Sequence, residues 1–319
     1  MDETGIITEA PKEKVRKRVD HVFKWLLFYN LFILILSGVF SVFKLETGAE
    51  SIFATLCGVA IIYLLTRRKW PVNPFEKGEK KMTGKDFLLF FCLIALNQLI
   101  VFGILMILDA IGLRGTSIDI NTNTVSMFIY ASFTGPFCEE MVYRGFACGK
   151  LRKNGKMLAV TLSALAFGLM HFNVCQFIVG TLTGLVFGYI FIEYSIWWTI
   201  LFHVINNFVL SVLPSTIFQN VPMETIDTVE YGIMGVFAVI GIVLLIKRKD
   251  EIKAWFKDPA NRSEKGTVRE ALKSFWFWVF VIIYVGIMVL LVLFPDVANL
   301  ASGADGQFAE AAVKALPLF

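Results

Sequence analysis

Six polar side chains stand where apolar sequence surrounds them. Glu139, Glu140 and Arg144 fall inside the run Val125–Ala147, His171 ends the run Met157–His171, and His203 and Asn207 lie inside Ile196–Leu213. An ionisable side chain in a membrane-length segment costs about 2.5–3.5 kcal/mol on insertion scales, so each such residue is a functional suspect. Glu140 and Arg144 are four apart and share a helix face. Glu139 sits about 100° round the helix from Glu140. One glutamate can therefore be neutralised by Arg144 while the other faces elsewhere. A structural ion pair with a spare carboxylate would give the same local pattern. His203 and Asn207 are also one turn apart and face the same way. The chain has only 3 histidines, and the third, His21, lies in a polar arm.

This set of side chains suits hydrolysis of a peptide bond away from bulk water. That reaction needs a water, a base to take its proton, and donors for the oxyanion. A buried glutamate suits general-base work, histidine can orient the water, and asparagine is an uncharged oxyanion donor. Glu139, His171, His203 and Asn207 could instead hold a zinc ion, which takes nitrogen and oxygen ligands and keeps one position for water. The soluble signature H-E-x-x-H is absent. A proton-coupled membrane transporter also uses intramembrane Glu/His relays, but its expected inverted repeat is not evident in the sequence.

The elements that must position these groups are transmembrane helices. Of the 319 residues, 56% are hydrophobic and 18% charged, against about 45–50% and about 25% in soluble domains. The excess is gathered into nine runs: Phe23–Phe43, Ser51–Thr66, Phe87–Leu113, Val125–Ala147, Met157–His171, Val174–Tyr194, Ile196–Leu213, Tyr231–Ile246 and Phe275–Leu293. A spanning helix needs ~20 apolar residues. The expectation is an all-α, polytopic transmembrane helix bundle of about 8–9 spans. The basic residues Lys12–Lys24, Arg67–Lys85, Lys150–Lys156 and Lys247–Lys249 all fall on one side if nine spans start from an inner N-terminus. Basic loops stay in the cytoplasm. These residues are a topology signal, so no nucleic-acid partner is expected.

The chain divides into four stretches: a cytoplasmic polar arm at 1–22, N-terminal spans at 23–124, a catalytic core at 125–213, and C-terminal spans with a tail at 214–319. A short surface helix is predicted around Glu251–Phe256. The 5 cysteines lie in or beside apolar runs without a CxxC pair, which argues against a disulfide framework or thiolate metal site. Gly180, Gly184 and Gly188 recur every four residues and let two helix backbones approach closely. Gly135-Pro136 should kink the fourth run and free carbonyls one turn earlier. Met157–His171 is short for a span, ~22 Å at ~1.5 Å per residue, and only Phe172-Asn173 separates it from the next run. That hairpin should turn within the membrane, against protein.

In order along the chain, Glu139-Glu140-x-x-x-Arg144, Phe167-x-x-x-His171 and His203-x-x-x-Asn207 resemble the three signatures of the CPBP family. That family comprises CAAX prenyl proteases and bacteriocin-processing or immunity proteins. The resemblance extends to Gly145 and to Ser195-Ile196-Trp197 and covers roughly a quarter of the chain. It implies an intramembrane endopeptidase in which Glu139 activates water and Glu140 with Arg144 supports it. His171, His203 and Asn207 would position the water and bind the oxyanion or a metal. It leaves open both a metalloprotease and a glutamate-type mechanism. The implied partners are the lipid bilayer and a membrane-associated peptide or protein substrate. The expected location is the cell (plasma) membrane, and the basic loops place the N-terminus in the cytoplasm. Peptide maturation and bacteriocin self-immunity are the alternatives inside the family.

Overall fold

In a hydrocarbon environment a backbone must satisfy its own hydrogen bonds, so long runs of Leu, Ile, Val and Phe become helices. The computed structural model describes residues 11–69, 72–110, 124–213 and 221–294. The first ten residues, most of loop 114–124 and the tail 296–319 lie outside the described residues. The described residues form a polytopic helical bundle without a strand. Its elements are α1 (Pro11–Val42), α2 (Thr47–Thr66), α3 (Gly84–Ala110), the interrupted rod α4 (125–151), α5 (Lys156–Leu169), α6 (Val174–Glu193), the rod α7 (196–212), α8 (Met223–Lys247), α9 (Lys249–Lys257), α10 (Thr267–Ala271) and α11 (Phe275–Leu293).

Six of these are long and apolar enough to cross a membrane: α1, α2, α3, α6, α8 and α11. α5 and α7 are apolar but shorter. The fourth run is a rod of alternating α and π turns rather than one regular helix, with π segments at Tyr130–Thr134 and Glu140–Cys148. Pro136 gives the reason for the first. Gly135 N–H bonds Tyr130 O, five residues back, and in that register the next carbonyl, Ala131 O, would need the N–H that Pro136 lacks.

The predicted polar arm is helical from Pro11. Val15, Val19, Val22 and Leu26 form a buried stripe at three- and four-residue spacing, so the helix begins well before its apolar run. This stripe and Phe23 pack with Phe146 and Tyr143 of α4 and with Phe277 and Phe280 of α11 in the main core. A second core joins Phe90 and Ile94 of α3 to Phe187 and Ile190 of α6 and Phe202 of α7. The short surface helix expected near Glu251–Phe256 is α9.

The α5–α6 hairpin is closely packed. A Cβ on Gly184 would lie 3.0 Å from Ala164 Cα, and one on Gly168 would lie 2.2 Å from Thr181 Oγ1. Phe172 makes the turn in the left-handed region, at φ 54°. Asn173 then caps α6, its Oδ1 accepting from Cys175 N and Gln176 N, two of the donors that a helix start leaves unpaired.

Candidate active site

Two rods and one hairpin bring the chemistry together. Glu139 is the last α residue before the second π segment of α4, and Glu140 is the first residue of that segment. Arg144 Nη1 lies 3.0 Å from Glu140 Oε1, and both side chains are fully buried. The guanidinium is also sandwiched between rings, 4.1 Å from the centroid of Phe167 and 5.4 Å from that of Phe187. Such a cation over ring faces is favourable where water is excluded. Burying this pair is costly unless each partner keeps the other.

His203 reads both glutamates. Its Nδ1 is 2.8 Å from Glu140 Oε1, and its Nε2 faces Glu139 Oε2 at 3.6 Å. Nδ1–H donates to the Glu140 carboxylate, which fixes the ring and leaves Nε2 turned to Glu139. Glu139 keeps 22% of its side chain accessible whereas Glu140 keeps none. The two adjacent carboxylates therefore stand in different surroundings: one is locked in a buried ion pair, and the other is partly accessible.

His171 joins this group through Phe167. The Phe167 ring stands edge-on to His171 at 5.1 Å and to His203 at 5.7 Å. His171 Nδ1 is 2.9 Å from Phe167 O, so Nδ1 carries the hydrogen and Nε2 is left available. The i, i+4 spacing of Phe167 and His171 produces both contacts.

Asn207 is tied to the kink instead. It lies in the π segment Ile205–Val212 and its Nδ2 donates to Ala131 O at 3.2 Å. That is the carbonyl left without an N–H by Pro136. Its Oδ1 accepts from Asn206 Nδ2 at 3.0 Å. One amide hydrogen of Asn207 is thus committed to holding α7 against the opened turn of α4, and the second is free for another acceptor. The kink and the third motif, separate features in the sequence, are one hydrogen-bonded joint.

Residues outside the motifs complete the setting. Tyr63 of α2 donates to Met141 O at 2.9 Å, inside the π segment, and it also fixes Gly145, where a Cβ would meet Tyr63 OH at 2.5 Å. Asn30 of α1 donates to Tyr143 OH at 3.2 Å, and Tyr143 packs edge-on to Phe167 at 5.5 Å. Tyr284 of α11 stacks on Phe172 at 4.8 Å, next to His171. Asn30 and Tyr63 are visible as lone polar groups in apolar runs, but nothing in the sequence names their partners.

A resident metal would need several donors aimed at one point. Among the described residues no group of three His, Cys, Asp or Glu side chains converges to hold an ion. His203 Nδ1 and His171 Nδ1 are each hydrogen-bonded, which leaves their Nε2 atoms and the Glu139 carboxylate, 3.6 Å from His203 Nε2, as the donors still open.

No curated protein and no solved structure matches the chain. Residues 121–209 match the family model of the type II CAAX prenyl endopeptidase Rce1-like proteins, a segment that contains Glu139, Glu140, Arg144, His171, His203 and Asn207. Through that segment, this helical membrane protein is similar to the CAAX-type prenyl endopeptidases.

Proposed function

We propose that the chain is an intramembrane endopeptidase that hydrolyses a peptide bond of a membrane-associated protein or peptide with a water activated by Glu139. The observation that carries this reading is the division of labour between adjacent glutamates: Glu140 is locked by Arg144 and His203, while Glu139 stays accessible opposite His203 Nε2. In this mechanism a water sits between Glu139 and His203 Nε2, donating to both. Glu139 takes its proton as hydroxide adds to the carbonyl carbon. The second amide hydrogen of Asn207 supports the oxyanion. Collapse breaks the C–N bond, and Glu139 returns the proton to the leaving amine. His171 offers Nε2 to the substrate side. Arg144 acts through Glu140, and Glu140 through the His203 ring.

The description of the matched family supports a prenylated, CAAX-type substrate, and we extend it to this chain as part of the proposal. The proposed orientation puts the basic loops and the N-terminus in the cytoplasm, with the plasma membrane as its location. Purified protein in nanodiscs would be given a farnesylated CAAX peptide and its unprenylated counterpart, with products identified by mass spectrometry. Cleavage on the amino side of the C-terminal tripeptide, confined to the prenylated peptide, is expected. Cleavage of both peptides alike would remove the prenyl requirement. Cleavage of neither, nor of any peptide in a membrane-extract library, would remove the protease reading.

A further inference from the structure

A cavity lies under α9, apart from the carboxylate–histidine group, and its occupancy is independent of the protease reading. It encloses about 430 Å³ among α3, α5, α6, α8 and α9, within the ~300–1,000 Å³ usual for ligand pockets. Its wall is apolar, with Phe90, Leu93, Val160 and Val186 among the lining residues, and none of the six motif residues lines it. The lining runs out to Leu185 and Phe256, which are 37% and 49% exposed on the surface of the bundle. A dry apolar space does not hold water well, and the solvent around this part of the molecule is lipid.

The roof is built and held. Ile252, Trp255 and Phe256 of α9 close the space from above. Trp255 Nε1 donates to Glu193 Oε1 at 3.1 Å, and Lys156 Nζ lies 2.9 Å from the same oxygen. Asn261 Nδ2 donates to Trp255 O at 3.0 Å. Two charges of opposite sign line the cavity from one face of the chain, Arg248 and Glu251. Arg248 also meets Asp86 at 2.5 Å, and Glu251 lies 3.7 Å from Lys80, a loose pairing with Glu251 still 60% exposed. The mouth is thus balanced in charge, with a cation and an anion three residues apart above an apolar chamber.

We propose that this cavity seats one aminophospholipid: an acyl chain in the chamber, the phosphate at Arg248, and the primary ammonium at Glu251. An anionic lipid without an ammonium would satisfy Arg248 and set a like charge against Glu251. A free fatty acid or an isoprenoid would offer Glu251 no cation beyond its loose 3.7 Å pairing with Lys80.

Native mass spectrometry of the intact protein tests it, with detergent-released protein challenged by equimolar phosphatidylethanolamine, phosphatidylglycerol and phosphatidylcholine. One tightly held lipid is expected, with the ethanolamine head group favoured over glycerol by about threefold, the size of an exposed charge contact. Glu251→Gln, at an exposed position, should abolish that preference while leaving a lipid bound. Ile252→Trp puts a larger ring into the chamber and should weaken retention of the bound lipid, with an unchanged melting temperature showing that the fold survives. Equal or stronger retention of phosphatidylglycerol, an unaltered preference in Glu251→Gln, or full lipid occupancy in a folded Ile252→Trp protein would overturn the proposal. So would displacement of the lipid by free farnesol, which would make the chamber an isoprenoid site.

Discussion

The helices outside the matched segment and the rods within it use the same apolar residues under different rules. α1, α2, α3, α8 and α11 run unbroken for 32, 20, 27, 25 and 19 residues and turn side chains such as Leu34, Val236 and Ile282 outward, each more than half exposed. α4 and α7 instead change from α to π turns at Tyr130, Glu140 and Ile205. In the first group the α-helical register is unbroken from end to end. In the second, carbonyls are left for other helices to satisfy, and Tyr63 and Asn207 do so. Opened turns of this kind occur at functional sites, because they aim side chains at angles that a regular helix cannot. The comparison teaches that the unbroken membrane-length helices and the broken rods that carry the two glutamates, His203 and Asn207 are separate parts of one chain.

The strongest way to break this comparison is to remove the charge that holds the core together. Glu140→Gln leaves Arg144 without its anion at a site with no exposure. Losing one member of a buried pair costs about 3–5 kcal/mol, so the melting temperature in detergent should fall sharply. A variant as stable as wild type would mean that the pair is dispensable.

One substitution made in both regions sharpens the contrast. Gly168→Ala forces a Cβ against Thr181 Oγ1 and the Phe177 carbonyl, and overpacking of this sort costs about 1–3 kcal/mol. Gly235→Ala on α8 meets nothing within 4 Å, and should be neutral or stabilising by up to ~1 kcal/mol from helix propensity. Thermal unfolding of the two proteins side by side reads both, and equal effects would erase the distinction.

The smallest expected effect lies where the core rod meets α2. Lys150 is buried, with Nζ donating to Thr66 O at 3.2 Å and Lys69 O at 2.8 Å. Burial lowers its pKa from the ordinary 10.5 to about 8. Between those values the unfolded chain binds more protons than the folded one, so this residue's contribution to stability rises with pH. Both hydrogen bonds survive as a neutral amine. Wild type should therefore gain stability relative to Lys150→Met as pH goes from about 8 towards 10, measured by paired melts. A constant difference across that window would refute it.

Much of the core is legible in the sequence because chemistry in a membrane is conspicuous. Glu139, Glu140, Arg144 and His203 stand out as charged or titratable groups in apolar runs, and they do meet. Gly180, Gly184 and Gly188 read as a close-packing stripe, and they face Gly168, Ala164 and Val160. What stays hidden is relational. The π turns carry no compositional mark beyond Pro136, so the fourth run reads as one kinked helix. The partner of Asn207 is a carbonyl 76 residues away, and a backbone acceptor leaves no trace in residue type. The start of α1 is obscured because charged residues separate Val15, Val19 and Val22, and a search for unbroken apolar runs passes over a stripe.

The central claim, that Glu139 is the working carboxylate and Glu140 the structural one, is tested most directly by the single-turnover cleavage rate of purified Glu139→Gln protein in nanodiscs. Glutamine keeps the size and hydrogen bonding of the side chain but cannot take a proton from water. The account predicts a fold as stable as wild type and a cleavage rate lower by about 10²–10⁴-fold. Wild-type cleavage by well-folded Glu139→Gln protein would contradict it.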